Sequence, residues 1–170
     1  MNSEIFGKPL VLHYNNSSVT VYLHYVSMGN PHVVIFIEDV EFEGQIFNNL
    51  SEFPVETLGP QVENHELFPD RANVEFVRII DVEQGIVEQR TWERGSGETM
   101  ACGTGACAVA FMSSETGKIK GDQTIRVKLR GGDLLFDLER QEQICTQITM
   151  YAQPKEVFSG SICCERMLGK

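Results

Sequence analysis

The chain has few basic residues, and this shortage argues against several classes of partner. Lys and Arg together number 14 against 24 Asp and Glu, which gives a formal net charge of −10 and a sequence pI near 4.8. Nucleic acids and anionic membranes select proteins that carry clusters of Lys and Arg. We therefore expect neither a nucleic acid nor a membrane surface as a partner.

Long apolar runs and metal-binding motifs are also missing. No uninterrupted apolar run is long enough to span a bilayer, and residues 1–9 lack the charge and apolar order of a signal peptide. Neither a CxxC pair nor an HExxH motif occurs, so a metal site has little support. The five cysteines are odd in number and irregularly spaced, which disfavours a secreted disulfide scaffold and fits a reducing cytosol. We expect a cytoplasmic protein.

Short strands dominate what the sequence does contain. With 170 residues, of which 42% are hydrophobic and 22% charged, the chain suits one domain with a real hydrophobic core. Stretches rich in β-branched and aromatic residues, separated by turn signals, predict a series of strands. These strands are expected at 19–26, 33–37, 73–80, 86–94, 124–129, 134–138, 143–151 and 156–164.

Two helices are predicted between these strands. Pro54 suits the first turn of one helix, which Gly59-Pro60 must interrupt or restart. The other helix begins near Cys102 and ends before Gly117, its predicted cap. Residues 106–112 are apolar on almost every face, which indicates a helix buried on all sides. The predicted fold class is α+β, a curved antiparallel β-sheet or barrel wrapped around a central buried helix, with the other helix outside.

The segment 93–107, ERGSGETMACGTGAC, carries the strongest chemical signal. Its four glycines let the backbone approach a ligand closely and adopt positive φ where needed. The segment delivers Cys102 to a helix start, where free amides and the helix dipole can lower a thiol pKa and can hold a carboxylate or an oxyanion. We interpret Cys102 as a functional thiol. The other cysteines are interpreted as packing residues: Cys107, Cys145, Cys163 and Cys164.

Three nearby features leave alternatives open on the residues alone. Glu93-Arg94 is either a solvated charge pair at a strand end, or a pair that binds a substrate carboxylate and an amine or transfers a proton. Asn30-Pro31-His32 is either a turn followed by a partly buried histidine, or a group that tunes a neighbouring thiol. Asn73 offers an amide side chain at a strand entrance.

Taken in order along the chain, these segments resemble the diaminopimelate epimerase family. The likeness runs from about residue 26 to residue 162. The matching pieces are Met28–His32, Leu58–Pro60 with Glu63 and His65, Phe68-Pro69, Asn73-Val74 with Phe76, Trp92–Gly95, Glu98-Thr99, Ala101–Ala108, Arg130–Leu134 and Val157–Gly160.

The resemblance implies an isomerase that interconverts LL- and meso-diaminopimelate, without a cofactor, in lysine and peptidoglycan precursor synthesis. It implies two cysteines on opposite sides of the α-carbon, one removing the α-proton as thiolate and the other donating a proton as thiol. By matching motif, Cys102 is one of these cysteines, and Glu93 and His32 assist proton handling. The implied substrate-binding residues are Asn30, Asn73, Glu93 and Arg94, with the backbone amides of Gly103 and Thr104 receiving the α-carboxylate.

The likeness covers only the C-terminal half of the family's usual chain. It implies that residues 1–25 are a remnant or linker of a missing N-terminal domain, that residues 26–150 form the C-terminal domain, and that residues 151–170 form a terminal strand and tail packing towards the missing domain. The expected partners are diaminopimelate and either a complementary N-terminal domain or a second copy with two facing Cys102 thiols. We expect the isolated chain to be inactive. The alternative is a catalytically incomplete remnant that binds amino acids.

Overall fold

The structure, a computed structural model, describes residues 6–42, 47–120, 122–142 and 144–161. These residues form one sheet of ten strands and two α-helices. The strands are β1 (Phe6–Tyr14), β2 (Ser17–Ser27), β3 (Pro31–Phe36), β4 (Glu41–Phe42), β5 (Asn73–Asp81), β6 (Ile86–Glu93), β7 (Gly97–Thr99), β8 (Ile125–Leu129), β9 (Gly132–Gln141) and β10 (Ile144–Tyr151). The helices are α1 (Val55–Glu63) and α2 (Gly103–Glu115).

The sheet is mixed, and its helices lie in the connections between parallel strands. The main path runs β1-β2-β3-β5-β6-β8-β9-β10, while β4 pairs with β2 and β7 with β6. Two pairings, β3 with β5 and β6 with β8, are parallel, and the others are antiparallel. A parallel pair needs a long crossover, usually a helix. The chain supplies α1 for the first crossover and α2 for the second.

The two helices cover opposite faces of the sheet. Because side chains alternate along a strand, β3 sends Val33 and Ile35 to a core that contains the buried residues of α1. The same strand sends Val34 and Phe36 to a second core around α2. This two-sided burial explains why β3 is a continuous apolar run.

The predicted α+β class is confirmed, with a buried helix on one face of the sheet and a second helix on the other. The sheet is not antiparallel throughout, because α1 and α2 return the chain in the parallel direction. Nor does it close into a barrel, since the path ends at β1 and β10 in the described residues.

Three local expectations about secondary structure were incomplete or wrong. No strand was predicted at β1, which pairs with β2 along its length. Gly59-Pro60 does not interrupt α1. Proline removes the hydrogen bond to the carbonyl four residues earlier, and that carbonyl belongs to Glu56, an exposed residue in the first turn of α1.

The expected strand at 156–164 is wrong for its described part. Residues 152–161 have no regular structure and are exposed, Phe158 at 84%. A strand needs a neighbour to accept its backbone hydrogen bonds, and none lies beside this segment in the described residues. Cys163 and Cys164 lie outside the described residues. None of the helices found in the described ranges is both long and apolar enough to cross a bilayer.

Candidate active site

Cys102 is the N-cap residue of α2. Its backbone is extended, with φ −132° and ψ 113°, and its Sγ accepts a hydrogen bond from the backbone N–H of Gly105 at 3.3 Å. Thr104 Oγ1 lies 3.5 Å from the same sulfur. The first intrahelical hydrogen bond runs from Ala106 N to Cys102 O at 2.9 Å. The N–H groups of Gly103 and Thr104 precede it, so they lie among the helix-end donors without an intrahelical acceptor.

The loop before α2 uses its glycines in two ways. Gly95 and Gly97 have φ values of +77° and +81°, which lie in the left-handed region that favours glycine. Gly105 is helical and is required for another reason, because a Cβ built there would overlap the carboxylate of Glu75. The predicted close approach therefore occurs at Gly105, but the backbone there lies against the buried Glu75 side chain.

Burial raises the pKa of the Cys102 thiol above its ordinary value. The hydrogen bonds from Thr104 and Gly105 favour the thiolate, but the carboxylates of Glu75 and Glu93 oppose them. A helix start can lower a thiol pKa, but in this structure the net direction for Cys102 is upward. Desolvation is the largest contribution; it outweighs the helix-end amides and favours the thiol form over the thiolate.

Asn30 and His32 connect this thiol to the interior of the sheet. Asn30 Nδ2 donates to Thr104 Oγ1 at 3.4 Å, and Asn30 Oδ1 lies 3.0 Å from His32 Nε2. The other ring nitrogen, Nδ1, lies 2.8 Å from Glu75 Oε1. His32 is fully buried and reaches the sulfur only through Asn30 and Thr104, so its predicted part in proton handling would be indirect.

Asn73 joins the two loops that carry Asn30 and Arg94. Its Nδ2 donates to Pro31 O and its Oδ1 accepts from the backbone N–H of Arg94, both at 3.0 Å. The side chain is buried, with both ends of the amide engaged by backbone. In this structure Asn73 holds the site together, and its predicted contact with substrate stays a prediction.

Glu93 and Arg94 lie at the end of β6 in different surroundings. Glu93 is half-buried, and its Oε1 accepts from Thr99 Oγ1 at 2.6 Å. Arg94 is exposed, and its Nη1 donates to Asp70 O at 2.8 Å. Arg94 and Asn30 line the same open cleft of about 540 Å³. The structure therefore brings together a cation and an amide at one opening, as a site for an anionic ligand requires.

Glu63 organises the turn that presents Arg94. This carboxylate on α1 is 5% exposed and accepts from Trp92 Nε1 at 2.7 Å, from Gly95 N at 2.9 Å and from Arg71 Nη1 at 3.2 Å. Glu63 is among the residues that match the family, and the resemblance implies no role for it. Its contacts show that it fixes the geometry between β6 and β7.

Glu75 and Gln89 were not identified from the sequence. A signal was nevertheless present, because Glu75 interrupts an apolar strand and lies two residues from Asn73, on the same face. A charged residue at an inward position of a buried strand is uncommon unless it is paired. Gln89 carried no comparable signal, since β6 is mixed in composition. Across 6–42, 47–120, 122–142 and 144–161, no three His, Cys, Asp or Glu residues are grouped so as to hold a metal ion.

Comparison of the sequence with known proteins places the chain in a family. A family model described as Diaminopimelate epimerase matches residues 24–155. A protein named diaminopimelate epimerase from Leptospira biflexa is 47% identical over 137 residues, which are 81% of this chain and 42% of the relative. One of the same name from Bacillus cereus strain AH187 is 51% identical over 111 residues, 65% of this chain and 34% of the relative.

The chain thus spans less than half the length of these curated relatives. A crystal structure of the Bacillus anthracis phenazine biosynthesis protein, PhzF family, superposes with a TM-score of 0.47 at 16% identity, covering 73% of this chain and 36% of that one, too distant a likeness to bear on function. The family match covers most of the chain, including every residue of the site around Cys102. The chain belongs to the diaminopimelate epimerase family.

Proposed function

We propose that this chain supplies one half-site of a cofactor-independent, cytoplasmic epimerase that interconverts LL- and meso-diaminopimelate in lysine and peptidoglycan precursor synthesis. The observation that carries the proposal is the environment of the Cys102 sulfur. Its half-buried sulfur sits at the start of α2, between the N–H of Gly105 and the hydroxyl of Thr104. The family and the names of the relatives support the substrate.

The helix start supplies the electrostatics that the reaction needs. The α-proton of an amino acid is a very weak acid, so negative charge that develops on the substrate must be stabilised by fixed donors. The substrate α-carboxylate accepts hydrogen bonds from the N–H groups of Gly103 and Thr104, at the positive end of the α2 dipole. Arg94 and Asn30, which line the adjacent cleft, bind its other polar groups.

When the reaction begins with Cys102 in its thiol form, Cys102 is the proton donor. A thiolate on the opposite face of the α-carbon removes the α-proton and becomes a thiol. Cys102 then transfers its proton to the other face of the carbanion and becomes a thiolate, so that the two sulfurs have exchanged protonation states. The raised pKa of Cys102 favours the donor form at the start of this cycle.

The second thiol comes from a complementary N-terminal half. The chain spans 42% of the Leptospira biflexa relative, which leaves room for such a half in a family member. Apolar side chains beside the start of α2 support a covering partner: Met100 is 55%, Met150 49% and Tyr151 50% exposed. A Cβ placed on Gly103 would lie 3.8 Å from Met150 Sδ, so this surface borders the site.

The test is reconstitution. The chain is mixed with the N-terminal half of the Leptospira biflexa relative, and exchange of the α-protons of LL-diaminopimelate into D₂O is followed by ¹H NMR. We expect exchange with the mixture, and a loss of at least ~10²-fold with Cys102→Ala. The matched control is Cys107→Ala, on the same helix, which should retain exchange. A stable complex without exchange refutes the proposal.

Light scattering on the chain alone decides between the two sources of the second sulfur. A monomer over micromolar concentrations excludes a homodimer with two facing Cys102 thiols. If the chain alone is a dimer and catalyses α-proton exchange, the second thiol comes from a second copy and not from a complementary half.

A further inference from the structure

A buried carboxylate on β5 lies behind the site and has no part in the chemistry proposed above. Glu75 has no exposed surface, and its Oε1 lies 2.8 Å from Nδ1 of His32, which is equally buried. Gln89 Nε2 donates to the other oxygen, Oε2, at 2.7 Å and to Thr91 Oγ1 at 2.8 Å. A carboxylate is costly to keep in a core even when it is paired. Its presence between β5 and α2 therefore calls for a role beyond packing.

A chain of polar contacts leads from Glu75 to the Cys102 sulfur. The His32 ring is held by Glu75 at Nδ1 and lies 3.0 Å from Asn30 Oδ1 at Nε2. Asn30 Nδ2 donates to Thr104 Oγ1 at 3.4 Å, and that hydroxyl lies 3.5 Å from the sulfur. The contacts join β5, the start of β3 and the start of α2, so the orientation of Thr104 depends on the carboxylate at the far end.

A second, direct contact joins the carboxylate to the first turn of α2. A Cβ on Gly105 would lie 2.7 Å from Glu75 Cδ and 2.9 Å from Oε2, so the carboxylate packs against the backbone there. The N–H of Gly105 is the donor to Cys102 Sγ. A negative charge at a helix N-terminus is favourable, and this charge seats the turn that holds the sulfur.

We propose that Glu75 is a positioning residue for the Cys102 thiol: its carboxylate, held by Gln89, fixes the His32 ring and through it Asn30 and Thr104 against the sulfur. This inference rests on the proposed function for its meaning, because a proton donor must be aimed at a carbon atom. It adds to that function a residue that never touches the substrate.

The test follows alkylation of Cys102 by iodoacetamide in the full chain as a function of pH. Peptide-resolved mass spectrometry separates Cys102 from the other cysteines. The charges that face this thiol are those of Glu75 on β5 and Glu93 on β6. Glu75→Gln keeps the size of the side chain and removes its charge. We expect the midpoint of the pH–rate profile to move up by about half a pH unit. The hydrogen bonds from Thr104 and Gly105, which favour the thiolate, are no longer held against the sulfur, and their loss outweighs removal of the Glu75 charge.

The matched control is Glu88→Gln, which removes the same charge next to Gln89 in β6, on the other face of the strand. Its profile should overlay that of the unmodified chain. Loss of the charge alone, or a loosened structure that hydrates the sulfur, would instead move the midpoint of Glu75→Gln down. If the Glu75→Gln protein folds, as judged by circular dichroism, and its midpoint is unchanged or lower than that of the unmodified chain, the inference is overturned.

A second measurement needs no variant, so it decides the matter even if Glu75→Gln does not fold. In the ¹⁵N-labelled full chain, we expect an imidazole proton on His32 Nδ1 that exchanges slowly with solvent, because the ring and its acceptor have no exposed surface. Absence of this resonance overturns the inference. Neither experiment requires turnover. If the thiol and imidazole measurements come out as expected but α-proton exchange fails, the proposed function is wrong. If exchange succeeds but the thiol and imidazole measurements fail, the inference about Glu75 is wrong.

Discussion

Replacing Gly105 with alanine tests how α2 is seated on the sheet. Helix propensity alone predicts that alanine stabilises the protein by up to about 1 kcal/mol. The new Cβ, however, would overlap the Glu75 carboxylate, which is enclosed and bonded to His32 and Gln89. Leaving a buried carboxylate without its partners costs about 3–5 kcal/mol. We therefore expect a net loss of about 2–4 kcal/mol in the free energy of unfolding.

The measurement is urea unfolding, followed by the fluorescence of Trp92, the single tryptophan of the chain. Gly103→Ala is the matched control in the same turn. Its Cβ would meet only Met150 Sδ and Cε, at 3.8 and 3.9 Å, which are ordinary contacts. The control should be unchanged or up to about 1 kcal/mol more stable than the unmodified chain, as helix propensity alone predicts. Equal stability of the Gly105 and Gly103 variants would refute the assignment of Glu75 as a fixed, buried neighbour of α2.

Three further outcomes are expected. Gly59→Ala should lower the free energy of unfolding by about 1–2 kcal/mol in urea, because its Cβ would lie 2.8 Å from Trp92 Cβ in a packed core; unchanged stability contradicts this. Glu63→Gln should cost about 1–3 kcal/mol by the same assay. Trp92 Nε1 and Gly95 N donate to different oxygens of Glu63, and the amide nitrogen that replaces one of these oxygens cannot accept a hydrogen bond. Cys102 should be alkylated more slowly than free cysteine at pH 7.5, with a rate that still rises above pH ~8.5, because burial raises its pKa; faster alkylation would argue against that environment.

Much of the sheet could be predicted from local pattern, because strand positions follow from apolar and β-branched runs between turns. β3 and β8 are examples, since each has an inward-facing apolar series. β1 was missed because it contains Gly7 and Pro9, which weaken a strand pattern. Pro9 is tolerated there because β1 is an edge strand, paired only with β2 in the described residues. Edge position is a property of the fold and not of the local sequence.

The candidate site was predictable where a motif carries it. The helix start at Cys102 and the cap at Gly117, whose φ is +71°, follow from glycine placement. The pKa of Cys102 was not predictable, because its direction depends on desolvation and on Glu75, which lies far away in sequence. Gln89 was missed for the same reason: its importance comes only from the carboxylate opposite it.

The register of the parallel pair β3 and β5 ties folding accuracy to the chemistry of the sulfur. His32 lies opposite Asn73, and Val34 lies opposite Glu75. A slip of one residue would turn every β3 side chain to the other side of the sheet. The His32 imidazole would then lie in the hydrocarbon around α1, and the Glu75 carboxylate would lose its partner. A misaligned molecule would thus be less stable, and its less buried sulfur would be alkylated faster, so the alkylation rate of Cys102 also reports correct strand alignment.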